Sequence, residues 1–539
     1  MTSDAYPGRP AALGSRGMVT APHALAAQAG VTTLTNGGNA ADAAIAIAAS
    51  LTALYPHMTG IGGDAFFLYY DAASDAIHAY NGSGAAAHEA TLDFYALRGD
   101  SHIPERSGAA VLTVPGAVDA WYALHERFGT LTMESILAPA IGYAQAGAPA
   151  ARSFVAAIHR LRDMLSQDDA ARVLLVEHGP RRTGDRFANP ALAQTLREIA
   201  KGGRRYWYEG EAAAAIDRCC RSVGSPLRAR DLAAHRGLFT QPCRGHFFGC
   251  ASLTMPPNSQ GIAALVAQQT YEAYCEQHGD LQLADGSAQR VHAQSEAIGY
   301  AYADRDACVG DPRDAAPWAP LLDGAHTRAL AQAIDPNALA QEPVAHVDAG
   351  DTAYFACVDS GGNAVSFIQS LFHSFGAGVV VPELGIALQN RGTAFELTAG
   401  TLRSLVPGRR PFHTLMPCML LRDGRPWLVY GSMGGEGQPQ TALQLTTRIL
   451  VDGHDPQTAI EAPRWRFTRD ATAEPAQLHL EARFSQACRA GLRARGHELH
   501  VLGDFDESMG HAGAICIDRE RGVLVGGADP RGDGAALGL

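Results

Sequence analysis

Thr352 opens the run Asp351-Thr352-Ala353-Tyr354-Phe355-Ala356-Cys357-Val358. A threonine there is ordinarily only a strand residue, because a hydroxyl is a weak nucleophile without an adjacent base. Gly431-Ser432-Met433-Gly434-Gly435 has two readings. Consecutive glycines let backbone N–H groups face a ligand oxygen, as an oxyanion hole requires, and they also make a tight turn. His57 follows Pro56 in a loop and has the chemistry of a general base, although a hydrogen-bonded structural histidine is the plainer reading. The glycines of Gly60-Ile61-Gly62-Gly63-Asp64 could cradle phosphate, but no Lys-Ser/Thr and no helix follow, so a P-loop is excluded. Cys243, His246 and Cys250 come closest to metal spacing and lack a fourth ligand nearby; no metal and no cofactor is expected.

The elements that must position these groups follow from periodicity and punctuation. Two runs rich in β-branched and aromatic residues, 351–358 and 364–370, flank Asp359-Ser360-Gly361-Gly362-Asn363, which predicts two strands joined by a short turn with Thr352 at the start of the first. Residues 23–34 predict a helix stopped at Asn36-Gly37-Gly38. Asn39 then caps a second helix, with Asp42 three residues on as a carboxylate capping box, and Tyr55-Pro56 ends it. Residues 65–70 read as a strand, and 117–128 as a helix whose Val118, Trp121, Tyr122, Leu124 and Phe128 lie mostly on one stripe. The helical pattern continues to about residue 200 and over 211–221 and 263–274; Lys201-Gly202-Gly203-Arg204-Arg205 reads as a solvated loop. Strand-like material lies at 247–253, 378–381, 385–388 and 427–430, followed by a helix over 441–450. Between Val309 and Gly350, Asp311-Pro312, Ala316-Pro317, Ala319-Pro320, Asp335-Pro336 and Glu342-Pro343 predict a mobile segment that ends at Thr352's strand.

Composition narrows the class. With 539 residues, 47% hydrophobic and 18% charged, the chain should bury a large core. A net charge of −12 disfavours a nucleic-acid partner, which needs a concentrated basic surface. No apolar run is long enough to span a bilayer, and residues 1–17 lack a signal-peptide core, so a cytoplasmic protein without membrane partners is expected. The ten scattered cysteines form no disulfide framework and are expected to be reduced.

Taken together, these stretches resemble the γ-glutamyltranspeptidase family of N-terminal-nucleophile hydrolases, made as one chain and cut in front of a threonine. The matching pieces begin with Gly37-Gly38-Asn39-Ala40-Ala41-Asp42-Ala43-Ala44, Gly60-Ile61-Gly62-Gly63, Val114-Pro115-Gly116 and Pro256-Pro257-Asn258-Ser259. They continue with Asp351-Thr352, Gly362-Asn363-Ala364-Val365, Asn390, Arg410-Pro411, Gly431 to Gly435, Ala462-Pro463-Arg464 and Asp529-Pro530-Arg531-Gly532-Asp533-Gly534. No single piece is specific; their order across nearly the whole chain is.

The resemblance implies an α+β fold, the four-layer αββα sandwich. It also implies cleavage into chains 1–351 and 352–539 that remain one interleaved domain. A cut before Thr352 would free an α-amine of unperturbed pKa about 7.7 to 8.0, so that one residue supplies nucleophile and general base. Ser370 would hydrogen-bond the nucleophile, Gly434 and Gly435 would hold the oxyanion, and water or an amine would discharge the acyl-enzyme. The substrate residues depart from the family. Its carboxylate-binding arginine falls on Ser83 in Asn81-Gly82-Ser83-Gly84, other glutamyl-binding residues fall on Phe372, Arg391 and Ala394, and a serine pair falls on His413-Thr414. These features, with Leu388-Gln389-Asn390-Arg391-Gly392, look like a divergent bacterial branch with oxamate amidohydrolase-, cephalosporin-acylase- and glutathione-hydrolase-like members. Arg391, His413, Thr414 and Asn390 become the expected substrate-binding residues, and a small acidic amide the expected substrate. A γ-glutamyltransferase or glutathione hydrolase, a glutaryl or cephalosporin-type acylase, a non-catalytic small-acid binder, and a homo-oligomer of cleaved heterodimers stay open.

Overall fold

The computed structural model describes residues 8–279, 283–314, 317–340, 350–468 and 477–539. Two seven-stranded sheets occupy the centre. The first runs Ala535–Gly538, Met18–Ala21, Asp351–Val358, Ala364–Phe372, Asp64–Asp71, Ala76–Asn81, Leu238–Thr240. The second runs Ala12–Gly14, Val523–Ala528, Ala512–Asp518, Arg425–Ser432, Cys418–Arg422, Cys250–Thr254, Cys243–Phe247. Every neighbouring pair in both is antiparallel.

Side-chain alternation along the strands builds the layers. From Asp351–Val358, Tyr354, Ala356 and Val358 pack with Met419, Val429 and Ile515 of the second sheet. Ala353, Phe355 and Cys357 point the other way, into a core shared with the helices Ala24–Thr35, Ala40–Leu54 and Ala117–Phe128. On the far side, Cys418, Leu420, Leu428 and Tyr430 pack against the helices Gly261–Gln277, Gln438–Leu450 and Pro456–Glu461. The result is the expected αββα sandwich. The sheets approach closely at the nucleophile strand: a Cβ on Gly431 would lie 2.4 Å from Tyr354 Cε2, so a side chain there would push them apart.

The helix Ala40–Leu54 is buried at every position, which its alanines permit, and its capping box forms as expected. Asn39 Oδ1 accepts from the N–H groups of Ala41 and Asp42, and Asp42 Oδ2 accepts from Asn39 N–H at 3.0 Å.

Three local expectations are corrected. Residues 201–205 lie in the helical stretch Pro190–Tyr208, broken at Gly203, and Arg204 pairs with the buried carboxylate of Asp119 rather than facing solvent. Residues 247–253 are strand as expected except at Phe248-Gly249, the turn of a hairpin that pairs Cys243–Phe247 with Cys250–Thr254. Part of the proline-rich stretch before Thr352 is regular structure: Ala319–Leu322 is a 3-10 turn and Gly324–Ala333 a helix. Pro320 begins the 3-10 turn and Pro336 follows the helix, positions that need no backbone N–H; Ala316 and Glu342-Pro343 lie outside the described residues. Among the described residues no helix is long and apolar enough to cross a membrane.

Candidate active site

Thr352 lies where the pairing of Asp351–Val358 with Ala364–Phe372 slips, between Asp351 and Ala353. Such a bulge re-aims the side chains beside it. Thr352 Oγ1 donates to Ser370 Oγ at 3.1 Å. Ser370 Oγ in turn donates to the Asp351 carbonyl oxygen at 2.6 Å and accepts the Phe372 N–H at 2.7 Å. One buried hydroxyl thus links the threonine oxygen to the carbonyl of the peptide bond that precedes it. The Asp351 side chain is also held, by Ser374 Oγ.

The glycine loop connects Arg425–Ser432 to the 3-10 turn Gly435–Gly437 and the helix Gln438–Leu450. Gly434 has φ +124° and Gly435 +54°; the first is a conformation that only glycine adopts without strain. Among the described residues neither N–H meets an acceptor in the chain. The loop is clamped instead by its neighbours. Met433 N–H donates to His511 O at 2.9 Å, and Gln260 Nε2 donates to Gly435 O at 2.9 Å and Thr414 O at 2.8 Å. A Cβ on Gly350 would lie 3.2 Å from Gly435 Cα, which places the loop against the backbone entering Thr352. A cavity of about 580 Å³ opens beside this backbone, lined by Gly350, Asp351, Gly434, Arg160, Arg466 and Glu507 among others.

Three departures noted in the sequence, Phe372, Arg391 and His413-Thr414, form one buried cluster. Arg391 Nη2 donates to Thr414 Oγ1 at 2.8 Å, and its guanidinium carbon lies 3.5 Å from the centre of the Phe372 ring. Phe372, at φ +79°, sits opposite Asp351 across the strand pair, and its Cε2 would lie 3.1 Å from a Cβ on Gly350. Arg391 is therefore one aromatic ring away from the 350–351 backbone. His413 Nδ1 accepts the Leu415 N–H at 3.3 Å, which leaves the proton on Nε2, facing Asp64 Oδ2 at 3.2 Å. Burial, and then the charge of Arg391, hold the His413 pKa well below its ordinary value, so the ring is neutral. Burial pushes the Asp64 carboxyl up to about 7 despite opposition from Gln389, Gly84, Gly116 and Arg391. Its Oδ1 accepts from Gly84 N–H, Gly116 N–H and Gln389 Nε2, each at 3.1 Å, a pattern that suits the ionised form.

Asn390 is committed to scaffolding: its Oδ1 accepts the His373 N–H and its Nδ2 donates to Glu105 O at 2.9 Å. His57 is buried against Phe154, with Nε2 3.1 Å from Ser153 Oγ. His246 faces Glu272, and strand register sets Cys243 opposite Thr254 and Cys250 opposite Phe247. A carboxylate and histidine group, Asp285, Asp452 and His454, has its charge answered by Arg290, which binds Asp452 through both terminal nitrogens, and by Arg448, whose Nε is shared between the two Asp285 oxygens. Sequence reasoning passed over Gln260, Asp64 and Ser374. Asp64 closes the quoted glycine run and Gln260 directly follows Pro256-Pro257-Asn258-Ser259, but only three-dimensional contacts give them partners.

An antiparallel αββα sandwich with a threonine at the head of a central strand is the architecture of N-terminal-nucleophile hydrolases. The chain belongs to the Gamma-glutamyltranspeptidase family, whose profile matches residues 26–539, and is an N-terminal-nucleophile enzyme of that family. It is 41% identical to the glutathione hydrolase-like YwrD proenzyme of Bacillus subtilis (strain 168), over 98% of this chain and 99% of that protein. It is also 41% identical to the oxamate amidohydrolase proenzyme of Klebsiella pneumoniae subsp. pneumoniae, over 97% and 98%. The structure resembles a cephalosporin acylase from Bacillus halodurans with a TM-score of 0.91 at 34% identity, covering 100% of this chain and 99% of that one.

Proposed function

We propose that the chain is the precursor of a self-cleaving amide-bond hydrolase, cut between Asp351 and Thr352, whose new N-terminal threonine acts on a small acidic amide. The observation that best supports this is the bridge from Thr352 Oγ1 through Ser370 Oγ to the Asp351 carbonyl oxygen. As Oγ1 bonds to the Asp351 carbonyl carbon, its proton passes to Ser370 while the Ser370 proton passes to the carbonyl oxygen. The C–N bond then breaks, the Thr352 nitrogen takes up a proton, and water hydrolyses the resulting ester to an Asp351 carboxylate and a free threonine.

In turnover the freed α-amine takes the Oγ1 proton as Oγ1 attacks the substrate carbonyl, and the N–H groups of Gly434 and Gly435 hold the oxyanion. The amide nitrogen leaves with that proton as ammonia or an amine, and water or an amine acceptor discharges the acyl-enzyme. Arg391, with Thr414, neutral His413 and scaffolded by Asn390, supplies positive charge beside the site, which favours an anionic acyl group such as that of oxamate. Conversely, Ser83 in place of the family arginine weighs against glutathione. The close likeness to a cephalosporin acylase keeps a glutaryl-type acyl group as the second reading. All ten cysteines are free and nine are buried, which fits a reducing cytoplasm.

The test is to incubate purified protein with oxamate, glutathione and glutaryl amides while following ammonia or amine release. Release from an acidic amide by the wild type and none by Thr352→Ala is expected. Release by Thr352→Ala at the wild-type rate would remove the nucleophile assignment.

A further inference from the structure

The chain's first acyl substrate is itself. In self-cleavage Thr352 Oγ1 carries an ester whose acyl group is the aspartyl of residue 351, and the same oxygen later carries the acyl group of the external amide. Where the Asp351 side chain lies in the precursor therefore marks a place available to the substrate's acyl chain.

That side chain is gripped. Ser374 Oγ donates to Asp351 Oδ2, and Arg160 Nη2 donates to Ser374 Oγ at 3.4 Å. Ser374 is buried in a turn that Arg106 Nη1 fixes by donating to the Ser374 carbonyl at 2.6 Å and to that of Gly376. Arg160 lines the same cavity as Asp351 and Gly434, so one hollow contains the aspartyl group, a cation and the proposed oxyanion loop. Glu507 lies across it, and burial together with the charge of Asp351 pushes its carboxyl up. Cleavage adds a second negative charge at Asp351 in that field, which favours departure of the severed end and frees the hollow.

We infer that Ser374 and Arg160 form the pocket for the substrate's carboxylate, and that it fits an acyl chain with two carbons between the reacting carbonyl carbon and the carboxylate carbon, as in aspartyl. The inference rests on the reading of Thr352 as nucleophile. The matching simple amide is the monoamide of a four-carbon diacid, succinamate. Thr352 Oγ1 bonds to its amide carbon, the C–N bond breaks with release of ammonia, and water then frees succinate. Arg391, behind the Phe372 ring, raises the affinity of any acid; Ser374 with Arg160 selects its length.

The test measures kcat/KM of the cleaved enzyme for oxamate, malonamate, succinamate and glutaramate by ammonia release, in wild type, Arg160→Ala and Arg160→Lys. Arg160 is exposed, so neither variant threatens the core. Succinamate should lead, and Arg160→Ala should reduce its advantage over oxamate by roughly 10- to 150-fold, the range for losing a charged hydrogen-bonding partner. Arg160→Lys should restore part of the preference. An optimum at oxamate or glutaramate, or a succinamate preference untouched in Arg160→Ala, overturns the inference. Failure of the underlying reading looks different: the wild-type chain stays uncut or Thr352→Ala hydrolyses the amides as fast, and both ideas fall together, whereas a cut enzyme that hydrolyses none of the four overturns the inference alone.

Discussion

Beside the Phe372 N–H that it accepts, Ser370 Oγ serves both groups of the proposed cut at once, accepting from Thr352 Oγ1 and donating to the Asp351 carbonyl. Ser370→Ala removes both contacts, and self-cleavage should slow by roughly 100- to 1,000-fold, the usual loss when one donor to a developing oxyanion is deleted. A time course of fragment appearance on a denaturing gel checks it; an unchanged rate would mean that the proton relay runs elsewhere. Arg391→Ala should weaken discrimination for acidic over neutral amides by roughly 10- to 150-fold. Its self-cleavage should persist, because that step uses no substrate carboxylate. Loss of cleavage in this variant would show that Arg391, stacked on Phe372, chiefly supports the fold. At this scale the residues legible from sequence were those marked by local context, Thr352 at a strand start and the glycines after a strand. Asp64 and Gln260 were not singled out because their partners lie far along the chain: Asp64 meets His413, 349 positions away, and Gln260 meets Gly435, 175 away.

Among the elements, the glycine loop depends on a wall built from the C-terminal segment. Asp529 Oδ2 accepts the Ala512 N–H at 2.7 Å and pairs with Arg464, whose Nη1 donates to Gly510 O at 2.8 Å. Gly510 in turn lies against Gly434, where an added Cβ would meet its Cα at 3.4 Å. Burial alone would raise the Asp529 carboxyl, but Arg464 and Arg531 more than offset it and hold it at about 2. A depressed folded-state pKa gives stability that is present above the ordinary value of 3.8 and is lost as pH falls towards about 2. Asp529→Asn should therefore cost about 2 kcal/mol or more at neutral pH. Thermal unfolding should show its deficit from wild type shrinking across that acid window; a deficit constant with pH would contradict the assignment. Gly434→Ala should lower turnover by roughly 100-fold while leaving most of the stability, if the loop serves as an oxyanion hole. A comparable collapse in melting temperature would favour the tight-turn reading. Helices with local stop and start signals, such as Ala40–Leu54 with its capping box and Tyr55-Pro56 end, were legible. The strands Cys418–Arg422, Ala512–Asp518 and Val523–Ala528 were passed over although turn residues mark them: Asp423-Gly424 folds the first back onto Arg425–Ser432, and residues 519–522 join the other two as a hairpin.

At the scale of the whole molecule, residues from either side of the proposed cut interleave in both sheets. Asp351–Val358 lies between Met18–Ala21 and Ala364–Phe372, and Cys418–Arg422 pairs with Cys250–Thr254. Strand hydrogen bonds would thus keep the two products together under native conditions. The measurement that bears most directly on the central claim is the intact mass and N-terminal sequence of the purified wild-type protein after denaturation. Two chains are expected, one of 351 residues and one of 188, the remainder of the 539, with the shorter beginning at Thr352, whereas Thr352→Ala stays whole. A fully active wild-type protein that remains a single chain of 539 residues, or whose shorter product begins elsewhere, would contradict it.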